Sequence, residues 1–93
     1  MVSIKEELEV AKTAKAAVKA LLAATSKTAV LATLKDAYRA AVLNLSSGGA
    51  LNAARAKVGI ALSSIMHGLP TKEKIDDVTS AIDVWITELE GSL

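Results

Sequence analysis

His67 is the only histidine in the chain, and Ser63 and Ser64 precede it by one helical turn. A serine, this histidine and one of the acids that follow could be imagined as a nucleophilic triad. That chemistry needs a base held by a third group and N–H donors aimed at an oxyanion. Here serine and histidine share one predicted helix near its end, with no strained turn and no glycine-rich oxyanion loop. The spacing instead suits a polar residue that satisfies the last carbonyls of its helix. Asp76 and Asp77 look like a carboxylate pair, but neighbours on a helix point about 100° apart and cannot grip one ion. Negative charge near a helix start is their simpler role. One histidine and no cysteine form a thin ligand set for a metal, and they exclude thiol nucleophiles and disulfides. No catalytic residue, metal site or cofactor is expected.

Two stretches could meet an anion. Ser46-Ser47-Gly48-Gly49-Ala50 precedes a predicted helix, where backbone N–H groups can face a phosphate. The lysine-serine/threonine pair and the preceding strand of a phosphate loop are missing, so it reads as a connector. Lys5, Lys12, Lys15 and Lys19 line one face of the first predicted helix. With Lys27, Lys35 and Arg39 they could follow a nucleic-acid backbone. Asn52 and Arg55 stand near a helix start, where a helix-turn-helix reader places its base contacts. Against this, the chain has only two arginines and that helix is too apolar to lie in a groove. Attachment to a membrane surface has the lysines but no aromatic anchor. A solvated face is the simplest reading of the stripe.

The elements that would position these groups are helices. The first, 4–24, opens with Ser3 and Glu6 at capping-box spacing and gathers Val10, Ala14, Ala17, Val18 and Leu21 on one face. The second, 27–46, carries Val30, Leu31, Leu34, Ala37, Tyr38, Ala41, Val42 and Leu45. A continuous 4–46 helix would put these two faces roughly 160° apart. A break at Ala24–Thr28, capped by Thr25 or Ser26, turns both toward one core. Gly48 or Gly49 closes the second helix, and Ser46 or Ser47 can cap the third, 50–67, which Gly68 stops. Pro70 and Thr71 then begin the fourth, 72–90, with Ile75, Val78, Ile82, Trp85, Ile86 and Leu89 inside about 100° of arc. Short connections between helices of this length predict an all-α, antiparallel four-helix bundle, a single domain spanning 1–93.

Composition sets limits on that bundle. Of 93 residues, 52% are hydrophobic, yet Tyr38 and Trp85 are the only aromatics. A chain this short, with a core of small aliphatics, gains from sharing area with a second copy. Three glutamates in the first ten residues argue against a secretory leader. The longest uncharged run is fifteen residues, short of the ~20 that span a bilayer. A cytoplasmic protein without a membrane span is expected. The net charge of +1 hides an asymmetry: residues 10–60 hold eight basic side chains and one acid, and residues 61–93 hold two lysines and six acids. Such polarity suits folding back, pairing with another copy, or an anionic partner.

The third helix poses the sharpest question. Leu51, Ala54, Val58, Leu62 and Ile65 form its core stripe, but the opposite side, Ala53, Ala56, Ile60, Ser64 and His67, is also small and largely apolar. A second copy could cover it, the helix could run through the centre of the monomer, or Ile60 could simply be exposed. Leu8, Leu43 and Val84 also stand off their main faces, which tilts the reading toward self-association. Arg55 projects near the core stripe and needs a partner, an acid of the fourth helix or of another subunit. Trp85, at the edge of its apolar arc, could close the bundle or anchor a partner. The expected protein is a non-enzymatic helical interaction module, an assembly, adaptor or regulatory subunit and homo-oligomer, whose surface includes Ala53, Ala56, Ile60, Ser64, His67 and Trp85. The alternative is a small nucleic-acid-binding regulator using the lysine face. No motif points to a particular family.

Overall fold

Ser3 begins the first helix by accepting a hydrogen bond from the Glu6 amide at 3.2 Å, and Thr71 begins the last by accepting from the Lys74 amide at 3.2 Å. Each satisfies a donor that the first turn leaves without an intrahelical partner. The computed structural model describes residues 3–21, 27–44, 49–68 and 71–93. Its elements are α1 (Ile4–Ala20), α2 (Lys27–Leu43), α3 (Ala50–Met66) and α4 (Lys72–Gly91). The expected four-helix bundle is borne out, with α1 and α2 ending a few residues early. The caps expected from Thr25, Ser26, Ser46 and Ser47 and the turn expected at Gly48 lie outside the described residues. Gly49 stands at the N-cap of α3 with φ +89°, backbone that only glycine adopts without strain.

The helices form a square. α1 packs on α2 and α4, and α3 packs on α2 and α4, while the backbones of the diagonal pairs stay apart. The envelope of 36 × 20 × 19 Å is two helix diameters across in both short directions. Direction follows from one meeting point: Glu7 early in α1, Asn44 just past α2, Arg55 early in α3 and Trp85 late in α4 are hydrogen-bonded together. The bundle therefore runs up, down, up, down. α3 occupies a corner like the other three helices, so it is not a central helix sheathed by its neighbours.

The core stripe of α1 is Glu7, Ala11, Ala14, Val18 and Leu21, joined by Leu8. This face is rotated from the expected one: Val10 and Ala17 are only half-buried, and Leu8 is a core residue rather than a stray. The reason is Glu7, which takes an interior position that an apolar pattern would not grant it. Leu34, Ala37 and Ala41 face it from α2, Ala54, Val58, Leu62 and Ile65 from α3, and Ile75, Val78, Ile82, Trp85 and Leu89 from α4. Where α2 and α3 cross, Gly59 is buried, and a Cβ there would lie 3.2 Å from Val42 Cγ2. The absent side chain sets how closely those two helices approach.

Glu7 is fully buried, and its carboxylate is surrounded by donors. Oε1 accepts from Arg55 Nη2 at 2.7 Å and from Asn44 Nδ2 at 2.8 Å. Oε2 accepts from Arg55 Nε at 2.8 Å and from the Trp85 indole at 2.7 Å. Arg55 Nη1 also donates to the Asn44 carbonyl at 2.9 Å, capping the end of α2 with a cation. The partner of Arg55 is thus an acid of α1, not of α4 or another subunit as expected. Fork-on-carboxylate geometry gives the pair both strength and direction. A polar knot that ties all four helices at one end fixes their relative register, a role that buried ion pairs can serve beyond bare stability. Among the described residues, no buried side-chain nitrogen or oxygen lacks a partner.

Burial pushes the Glu7 carboxyl up, but the hydrogen bonds from Arg55, Trp85 and Asn44, with the guanidinium charge, outweigh it and hold the carboxyl below its ordinary value. A carboxyl depressed in the folded state contributes stability at pH above its unfolded value, and that contribution fades as pH falls through the folded one. Chemical denaturation at successive pH values should therefore show full stability above about pH 5 and a progressive loss below the ordinary carboxylate range. In a Glu7→Gln variant, that acid-dependent part should shrink.

Candidate interaction surface

The solvent side of α3 differs from that of its neighbours. Its exposed residues are Ala50, Ala53, Lys57, Ile60, Ser64 and His67, with Ala56 and Ser63 half-buried beside them. Lys57 is the single charge. By contrast, α1 exposes Lys5, Lys12 and Lys19, α2 exposes Lys35, Asp36 and Arg39, and α4 exposes Glu73, Asp76, Asp77 and Asp83. Ile60, 74% exposed, is the crest of this face. A groove lies on each side of it. Toward α2 the walls are Tyr38, Val42, Ala56, Gly59 and Ser63; toward α4 they include Ala61, Val78 and Ala81, with Lys74 and Asp77 at the edge. Burying both a crest and its flanking grooves removes more apolar area than burying a flat face, and the small side chains let another helix approach closely.

The residues expected at an interface divide cleanly. Ala53, Ala56, Ile60, Ser64 and His67 lie together on this outer face. Trp85 does not: it is 0% exposed, with its indole N–H spent on Glu7, so it closes the bundle and leaves the surface. Leu43 and Val84 are exposed on α2 and α4, off their main faces as expected. The residues that pattern reading missed are Glu7 and Asn44, whose only sequence signal is that Arg55 demands an acid.

His67 Nδ1 lies 3.0 Å from the Ser63 carbonyl and 3.3 Å from Ser63 Oγ. A carbonyl only accepts, so the tautomer with its proton on Nδ1 would donate to the Ser63 carbonyl and serve the end of α3. Asp77 lines the α3–α4 groove, one helix position round from the exposed Asp76. Among the described residues, no group of three or more histidines, cysteines or carboxylates could hold a metal ion.

Lys15 pairs across to Asp83 of α4 at 2.5 Å, a surface contact worth about 0.2–1 kcal/mol. Lys35 borders a groove with Met66 and His67, on the flank of α2 turned toward α3. Glu6 and Glu9 are exposed on α1 with Lys5 and Lys12. No described helix is long and apolar enough to cross a membrane. No family model matches this chain, and neither the curated proteins nor the solved structures yield a match.

Proposed function

We propose that this protein is a helical interaction module that works without turnover and associates first with itself, through the outer face of α3. The observation that carries the reading is Ile60, standing exposed between two apolar-walled grooves on a helix face with one charge along its length. Burial of such a crest against protein gains about 25 cal/mol for each Å² of apolar surface removed from water. The other three helices carry more charged side chains on their solvent sides, although Leu43 and Val84 are exposed there, so this face stands to gain from a partner. A bundle held rigid by a polar knot at one end keeps the face preformed, which lowers the ordering cost of association. Assembly, adaptor or regulatory roles in the cytoplasm fit such a module.

Ile60→Glu tests the reading. The side chain is exposed, so the variant should keep its helical circular dichroism and unfold cooperatively while its mass in solution falls from oligomer to single chain. An unchanged mass by light scattering, with folding intact, would remove the outer face of α3 from the interface.

A further inference from the structure

We draw no further inference here: the strongest candidate, the apolar groove between α2 and the end of α3 lined by Leu31, Lys35, Tyr38, Met66 and His67, is open to solvent, and nothing in the structure shows what covers it.

Discussion

Replacing Glu7 with Gln should lower folding stability by about 3–5 kcal/mol, the range seen when one member of a buried ion pair is removed. The amide keeps the size of the carboxyl but not its charge or its four acceptor positions. Its nitrogen must face at least one of the donors now held by Glu7, and the Arg55 guanidinium stays buried without a counter-ion. Neither loss can be relieved by water, because Glu7 is fully enclosed. The complementary experiment uses Arg55→Met, which strands the carboxylate and should cost a similar amount. The double variant Glu7→Gln/Arg55→Met carries no buried charge, so its loss should fall well short of the sum of the two single losses. Urea denaturation followed by far-UV circular dichroism measures all three. Additive effects, or a Glu7→Gln loss below about 1 kcal/mol, would mean that the knot does not hold the helix ends.

Trp85→Phe isolates the indole donor. Phenylalanine preserves most of the apolar contact but withdraws the N–H that meets Glu7 Oε2 at 2.7 Å. Hydrogen bonds to charged groups contribute about 1.5–3 kcal/mol, and the smaller ring leaves a gap that adds a cavity cost. A loss of about 2–4 kcal/mol is expected from these two contributions together. Since Trp85 is the only tryptophan, its fluorescence in the parent protein also reports directly on the knot. A variant within about 0.5 kcal/mol of the parent, the spread of ordinary surface changes, would assign the indole a packing role only.

Helix number, order and direction were legible because they depend on local chemistry. Ser3, Thr71 and Gly49 punctuate the chain where their side chains or backbone freedom demand, and apolar residues recur at helical spacing between them. The knot was not legible from such local signals. Glu7 lies 37 residues from Asn44, 48 from Arg55 and 78 from Trp85, and periodicity treats a glutamate as solvent-facing. Excluding it rotated the expected face of α1 and made Leu8 look like a stray, although positions 7, 11, 14, 18 and 21 follow a regular core spacing once Glu7 is admitted. Arg55 showed half of the interaction, since its projection near the core stripe already required a carboxylate. Trp85 was ambiguous for the same reason: an indole at the edge of an apolar arc suits a surface or an interior hydrogen bond, and only its acceptor decides. The face of α3 was legible in part: Ala53, Ile60, Ser64 and His67 were placed on it, but Lys57 was not, and whether the helix took the centre or a corner depended on neighbours that periodicity does not reveal.

The solution mass of the unaltered protein, measured by sedimentation equilibrium from low micromolar to submillimolar concentration, decides whether α3 is a docking face. The mass should climb from the 9.6 kDa of one chain toward twice that value, and Ile60→Glu should hold it at the lower figure throughout. A parent protein that stays at 9.6 kDa across the whole range would leave Ile60 an ordinary exposed side chain and contradict the proposed function.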